Sequence, residues 1–251
     1  MPRRARKKST TNIYHVMMRG VNRQIIFEED SDYRRFLNVL KKCKEISGCK
    51  IYAYCLMPNH VHLLVSPEGE DLDVFMKRIC CRYVYWFNKK YGRIGHLFQD
   101  RFKSENIENE AYFLTVLRYI IQNPVKACIC SDVESYRWSC YNDYYFRKNS
   151  ITDTGLAVEL SGGLKRLIKF VNEANEDQVI DYSDKKFVLE KKAKETMVSV
   201  TGCKNLSDYQ RLSPKEQKDY VRRLYDYRLS MSQIAKLTGK SKTTVYRILS
   251  N

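Results

Sequence analysis

His60 and His62 are the residues of this sequence whose types and spacing point most directly to chemistry. They are two of only four histidines, and they lie two apart in the apolar, β-branched stretch 60–66, which predicts a strand. Side chains two apart on a strand point to the same face of a sheet, so both imidazoles can reach one cation. Imidazole suits Mn²⁺, Zn²⁺ or another divalent ion better than Mg²⁺. Without a cation, the pair would be polar side chains on a solvated face.

Tyr119 and Asn123 form a second pair, four residues apart at the end of a helix predicted over 108–122, before Pro124. Residues four apart on a helix share a face. An asparagine carbonyl is an oxygen ligand for a hard divalent cation, and a phenol is a nucleophile. Because the free phenol has a pKa of about 10, it needs a nearby cation to react at neutral pH. The ordinary alternative is a packed tyrosine, one of nineteen in the chain.

The segments that must position these residues alternate between strand and helix signals. Strands are predicted at 12–19, 50–57, 60–66 and 98–104, and helices at 30–46, 71–91 and 108–122. This order predicts an α+β fold, a ferredoxin-like antiparallel sheet of the split βαββαβ type with helices on one face.

The charge of the chain indicates a polyanionic partner. The formal net charge is +16, and basic segments at residues 1–11 and 201–251 flank a nearly neutral stretch at 151–200. Such a surplus attracts nucleic acid above all, and an anionic membrane surface less well. No stretch approaches the roughly 18 apolar residues of a membrane span, so no membrane partner is predicted.

Cysteine usage indicates the compartment. The nine cysteines are odd in number, no secretory signal is recognisable before them, and their spacing does not fit a zinc site. They are therefore interpreted as reduced thiols in a cytoplasmic, nucleoid-associated protein.

The C-terminal segment has the spacing of a helix-turn-helix. Ala235 is small where two helices approach, Gly239 suits a tight turn, and Val245 begins the buried face of the second helix. A generic small helical bundle is the alternative. The side chains predicted to face duplex DNA are those of Lys242, Thr243, Thr244 and Arg247.

Together these features predict four parts. They are a basic N-terminal arm at 1–11, a catalytic domain at 12–148, a helical connector at 149–205 and a helix-turn-helix domain at 206–251.

Six short segments in a fixed order add a family resemblance. They read YHV at 14–16, RGVNR at 19–23, MPNHVH at 57–62, LFQDRFK at 97–103, YIIQNPVKA at 119–127 and YRWS at 136–139. The ordered set resembles the HUH single-strand tyrosine transposases of the insertion-sequence-200 type and, more closely, the REP-associated tyrosine transposases.

The resemblance implies a role for each of the four site residues. His60 and His62 match the HUH pair that binds Mg²⁺ or Mn²⁺, Asn123 completes the metal site, and Tyr119 is the catalytic nucleophile. The implied reaction is cleavage of single-stranded DNA beside an imperfect hairpin, which leaves a 5′-phosphotyrosine and a free 3′-OH that later allow rejoining. The side chains expected to bind that DNA are those of Arg19, Asn22, Arg23, Arg101 and Lys103. For the four basic ones, a solvated basic surface is an equal alternative.

Three functions agree with these observations. The first is an active single-strand transposase with a duplex-binding tail. The second is a DNA-binding transcriptional regulator that retains the transposase fold, and the third is a replication initiator or relaxase. The complete set of His60, His62, Tyr119 and Asn123 favours the first, and the absence of a helicase motif disfavours the third. Tyr119 could serve its own site or a partner's, so monomer and homodimer both stay open.

Overall fold

The computed structural model describes residues 7–146, 151–175, 177, 179, 190–203, 206–227 and 229–250. The chain divides into two compact units, Met1–Asp181 and Tyr182–Asn251. The first six residues of the predicted arm lie outside the described residues, as do residues at the predicted boundaries 148/149 and 205/206. No helix in the described part of the chain is both long and apolar enough to cross a membrane.

The first unit is built on a four-stranded antiparallel sheet in the order β2-β3-β1-β4. The hairpin of β2 and β3 has the predicted bounds, because Pro58 and Asn59 leave room only for a two-residue turn. The α+β, ferredoxin-like prediction is confirmed. The strands are β1 (Ile13–Arg19), β2 (Lys50–Met57), β3 (His60–Ser66) and β4 (Lys103–Ile107).

The fourth strand was predicted too early, at 98–104. Residues 97–99 are instead bound to the loop after β1, where the Val21 N–H donates to the Leu97 carbonyl and the Gln99 N–H to the Arg19 carbonyl. The Asp100 side chain then accepts from the next backbone N–H, which ends this pairing before the strand proper begins at Lys103.

Helices cover both faces of the sheet. The two helices of the split βαββαβ unit, α1 (Asp30–Ser47) and α2 (Leu72–Lys90), lie on one face, as predicted. Cys80 of α2 there reaches Met18 of β1, with 3.3 Å between the sulfurs. The helix that follows the unit, α3 (Glu110–Lys126), lies on the opposite face.

Helix α3 continues past Pro124, so the predicted end at residue 122 is wrong. A proline inside a helix removes one backbone hydrogen bond and costs about 3 kcal/mol, so tertiary contacts must offset this cost, and here Asn123 and Pro124 are both buried. The Ala127 N–H donates to the Asn123 carbonyl, which keeps Asn123 helical and on the same face as Tyr119.

The outer side of α3 is held by residues that follow it in the chain. The Gln122 amide donates to the carbonyls of Val171 and Glu173 at 2.7 and 2.9 Å. Arg118 makes two 2.8 Å hydrogen bonds to Asp177. These contacts fix the position of the helix that carries Tyr119. The short helices of this region are α4 (Tyr141–Phe146), α5 (Gly155–Leu160) and α6 (Leu164–Asn172).

A buried carboxylate, Asp32, ties the start of α1 to the end of α2. It accepts hydrogen bonds from the backbone N–H groups of Glu28 and Glu29, from the Tyr91 hydroxyl and from the Lys90 ammonium, at 2.6–2.9 Å. Burial alone would raise the pKa of Asp32, but the hydrogen bonds that it accepts outweigh burial and lower the pKa.

An Asp32→Asn variant is expected to unfold about 2–4 kcal/mol more easily at pH 7, because it leaves buried donors and the Lys90 charge without their carboxylate. Because folding lowers the pKa of Asp32, the ionised carboxylate contributes its full stabilisation above the ordinary aspartate pKa of about 3.9. This stabilisation is lost as the pH falls through the lowered pKa of Asp32 in the folded protein. Urea unfolding of both proteins at pH 7 and near pH 3 measures it. The matched control is Asp30→Asn, whose exposed pair with Arg137 is worth at most about 1 kcal/mol. Equal destabilisation by the two variants would contradict this account.

The regular structure in the described part of the second unit is helical, and this unit has its own core around Tyr209, Val221, Leu224 and Ile234. Two serines, Ser213 and Ser230, cap helices through capping boxes. Gly239, with φ of 67°, makes the left-handed turn between the last two helices. The predicted helix-turn-helix is confirmed in this form. The helices are α7 (Glu190–Thr201), α8 (Leu206–Gln210), α9 (Pro214–Asp226), α10 (Met231–Thr238) and α11 (Lys242–Ser250).

Candidate active site

The sheet register brings the two histidines of β3 to the face that α3 covers. Met17 of β1 lies opposite His62, and Arg19 lies opposite His60. Paired residues of an antiparallel sheet share a face, so both imidazoles project to the same side, with ring centroids 5.0 Å apart.

Helix α3 places its two polar residues against this pair. The helix starts at Asn109, whose side chain accepts from the Tyr112 N–H. The Tyr119 ring centroid lies 5.8 Å from that of His62, and the Asn123 Nδ2 lies 3.2 Å from the His62 Nε2. Tyr119 is 8% exposed and Asn123 7% exposed. All four residues of the predicted site therefore meet within one chain.

Hydrogen bonding defines the tautomers of the two imidazoles. Nδ1 of His60 lies 2.6 Å from Oδ1 of Asn59, which can only accept, so this nitrogen carries the hydrogen. Nε2 of His62 receives a hydrogen bond from the Asn123 amide, so it carries none. Burial lowers the pKa of His62 well below its ordinary value, and the neighbouring His60 and His15 lower it further. Both rings thus have Nε2 as the lone-pair nitrogen.

The donor set fits a divalent cation. Two neutral imidazoles and a side-chain amide oxygen are acceptable ligands for Mn²⁺ and, less comfortably, Mg²⁺. Across the described ranges, no three His, Cys, Asp or Glu side chains cluster as a ligand set.

Lys126 places a positive charge beside the phenol. Its Nζ lies 5.3 Å from the centroid of the Tyr119 ring. Burial lowers the pKa of Lys126, while Asp177 opposes that shift. Its amine also donates to Asn175 at 2.9 Å, which fixes the charge near Tyr119.

The five residues predicted to bind single-stranded DNA separate into three places. Arg19 and Lys103 lie on the face of the sheet that carries the histidines, since Lys103 pairs with Met17. Asn22 and Arg23 lie in a 3₁₀ turn, Val21–Arg23, with φ of 52° and 61°. The backbone approaches itself closely before this turn, since a Cβ at Gly20 would lie 2.3 Å from a backbone oxygen. Only glycine fits at position 20 for this reason.

Arg101 does not join this group. It borders a groove of about 990 Å³ that is lined by Met18, Met76 and Cys80 and lies on the opposite face of the sheet. In the second unit, the predicted DNA-facing residues of α11 are all exposed: Lys242, Thr243, Thr244 and Arg247.

His15 of β1 also lies at this site. Its Nε2 lies 3.0 Å from Nδ1 of His62. In the register, His15 lies opposite Leu64, one pair further along the same face. The pairing of β1 with β3 is what shows that His15 lies beside His62. The composition of the first strand and the spacing of its residues do not show it.

Comparison with known proteins agrees with this geometry. Residues 8–123 match the family model of IS200-like transposases, and residues 211–251 match that of the helix-turn-helix domain of resolvase. No curated protein matches the chain significantly.

Two solved structures resemble the chain. A REP-associated tyrosine transposase bound to a REP hairpin has a TM-score of 0.54 and 20% identity, covering 72% of this chain and 96% of that chain. That likeness concerns the fold alone. A candidate transposase from Deinococcus radiodurans R1, with 16% identity over 46% of this chain and 88% of that chain, has a TM-score of 0.33, too low to bear on the fold. Residues 8–123 of this chain are thus similar to IS200-like transposases, and residues 211–251 are similar to the helix-turn-helix domain of resolvase.

Proposed function

We propose that the protein is a site-specific single-strand DNA transposase. It cleaves and rejoins DNA at hairpins, REP-like or at insertion-sequence ends, through a 5′-phosphotyrosine on Tyr119. The observation that carries this proposal is the meeting of a nearly buried phenol, two imidazoles and an amide within one chain. The family match supports the DNA transposase class, and the hairpin-bound relative supports the choice of substrate.

The chemistry requires little beyond these groups. The Tyr119 Oη loses its proton and attacks the scissile phosphorus, a new O–P bond forms, and the 3′ oxygen leaves as a hydroxyl. A 3′-OH from a second cut end reverses the step and rejoins the DNA. Transesterification conserves the phosphodiester energy, so no nucleotide cofactor is needed.

The surrounding residues prepare the phenol and the phosphate. Nε2 of His60 and Nε2 of His62 would hold Mg²⁺ or Mn²⁺. Asn123 would join them through its side-chain oxygen once its amide turns, because its Nδ2 now lies beside Nε2 of His62. The bound cation would polarise a non-bridging phosphate oxygen and orient the scissile bond. Lys126, whose Nζ lies 5.3 Å from the centroid of the Tyr119 ring, adds a positive charge beside this residue. Arg19 and Lys103, on the same face of the sheet, contact the DNA backbone.

The direct test is an incubation with hairpin oligonucleotides and Mn²⁺, read on denaturing gels. The DNA is drawn from repeats that flank the gene and is labelled at either end. We expect cleavage and a protein–DNA adduct that EDTA prevents. Specific binding of the same hairpins without cleavage at any Mn²⁺ concentration would instead identify a DNA-binding regulator.

The second unit is proposed to bind duplex DNA through α11. Replacing both Lys242 and Arg247 with alanine is expected to weaken duplex binding about tenfold and to reduce the salt-dependence slope by about 2, because each loses one phosphate contact. Fluorescence anisotropy with duplex DNA at about 50–200 mM salt measures both. Single-strand cleavage should not change. Lys215→Ala, an exposed charge on α9, is the matched control, and an equal loss in that variant would contradict the assignment.

A further inference from the structure

His15 is fully buried on the sheet face that carries the proposed metal ligands. Its ring stacks on that of His62, with centroids 5.3 Å apart and planes inclined by 18°. The His15 Nε2 lies 3.0 Å from the His62 Nδ1, the nitrogen that faces away from Asn123. A hydrogen bond therefore joins Nε2 of His15 and Nδ1 of His62.

The proposed ligand role defines the direction of that bond. With Nε2 of His62 as the metal-binding nitrogen, the ring hydrogen of His62 is on Nδ1, and the Asn123 Nδ2 at 3.2 Å from Nε2 agrees with this tautomer. Nδ1 of His62 must then donate to Nε2 of His15. The remaining hydrogen of His15 lies on Nδ1, which faces Oε2 of Glu105 at 3.6 Å.

Glu105 is itself oriented by α3. The Tyr112 hydroxyl donates to Oε1 of Glu105 at 2.7 Å, which turns Oε2 toward His15. At 3.6 Å the contact between Glu105 and His15 is electrostatic, since it exceeds hydrogen-bond length. The chain of contacts thus runs from Tyr112 through Glu105 and His15 to His62.

We propose that His15 is a positioning residue that accepts the Nδ1 hydrogen of His62 and so directs the lone pair of His62 Nε2 to the cation. Metal-binding histidines generally need a partner on their second nitrogen, and loss of that partner lowers metal affinity about 10- to 100-fold. Asn59 serves His60 in the same way. The inference rests on the proposed function only in taking His62 as a ligand.

The first test needs no metal and no DNA. Long-range ¹H–¹⁵N spectra of the metal-free protein, with labelled histidine, distinguish imidazoles protonated on Nδ1 from those protonated on Nε2. With four histidines in the chain, the signals missing from the His96→Gln, His60→Gln and His15→Gln spectra identify these three residues, and the remaining signal is that of His62. We expect His62 to carry its hydrogen on Nδ1. A hydrogen on Nε2 would overturn the proposal, whatever the outcome of the cleavage assay.

The second test compares variants for binding of Mn²⁺ alone, by calorimetry. His15→Phe keeps a buried ring but removes the acceptor, so we expect about 10- to 100-fold weaker binding and a shift of the His62 hydrogen toward Nε2. His15→Gln offers an amide oxygen to His62 and should restore most of the affinity. Glu105→Gln should weaken Mn²⁺ binding less than His15→Phe does, because the 3.6 Å contact of Glu105 with His15 is longer than the 3.0 Å contact of His15 with His62.

Leu64→Met, a volume-conserving change opposite His15, is the control and should bind Mn²⁺ within about twofold of the wild type. Wild-type affinity in a folded His15→Phe variant would overturn the proposal. If that variant fails to fold, the wild-type tautomer decides the question. A wild-type protein that binds no Mn²⁺ but shows the expected tautomer would contradict the proposed metal site rather than the hydrogen bond.

Discussion

Replacing Tyr119 with phenylalanine is expected to abolish the protein–DNA adduct and to slow strand cleavage by at least about 10⁴-fold, the usual scale for loss of a nucleophile. The variant removes one oxygen atom and keeps the ring that packs beside His62 and under Lys126. Folding and hairpin binding should therefore stay within about twofold of the wild type. Cleavage is followed on denaturing gels, and binding by anisotropy.

The position of the label makes this experiment specific for a 5′-phosphotyrosine. DNA labelled at its 3′ end should move with the protein, whereas DNA labelled at its 5′ end should be released as a shorter strand. Tyr145→Phe, an exposed tyrosine of α4, is the control and should form the adduct normally. An adduct formed by the Tyr119 variant at the wild-type rate would remove this residue from the mechanism.

Local chemistry explains why much of the fold was predictable. The two-residue turn at Pro58 and Asn59 defines both ends of its hairpin, and Gly239 defines the turn of the helix-turn-helix. Each depends on interactions between residues that are close in the sequence. Such signals act before any tertiary contact forms, so a single sequence reveals them.

Tertiary contacts explain the two errors in the predicted elements. Residues 97–99 have strand-like composition, but their backbone groups are bound by the loop after β1, which no local pattern indicates. Pro124 normally ends a helix, yet here the buried contact of Asn123 with His62 holds the last turn in place. In both places a distant partner overrides local preference.

The candidate site divides in the same way. The spacing of His60 with His62, and of Tyr119 with Asn123, places each pair on one face of its own element. Spacing alone does not bring the strand pair to the helix pair; the family resemblance supplied that expectation, and the packing of α3 on the sheet agrees with it. The place of His15 depends on strand register, which the sequence does not specify.

Replacing His60 with alanine is expected to lower Mn²⁺ affinity by at least about 100-fold. The reason is that loss of a residue that only hydrogen-bonds a metal ligand already lowers metal affinity about 10- to 100-fold. His60 is the better of the two proposed ligands for this test. It is half-buried, whereas His62 is fully buried between His15 and Asn123, so its removal disturbs the core less. Calorimetry with Mn²⁺ measures the affinity, and urea unfolding verifies the fold.

Cleavage by the His60 variant should fall in proportion to site occupancy and recover partly as Mn²⁺ is raised, because Tyr119 and the DNA-binding surface are unchanged. A variant of Tyr119 cannot recover in this way, so the response to Mn²⁺ separates loss of a ligand from loss of the nucleophile. His96→Ala, an exposed histidine near Gly95, is the matched control and should cleave normally. Unchanged Mn²⁺ affinity in the His60 variant would contradict the proposed ligand set, while leaving the role of Tyr119 to its own test.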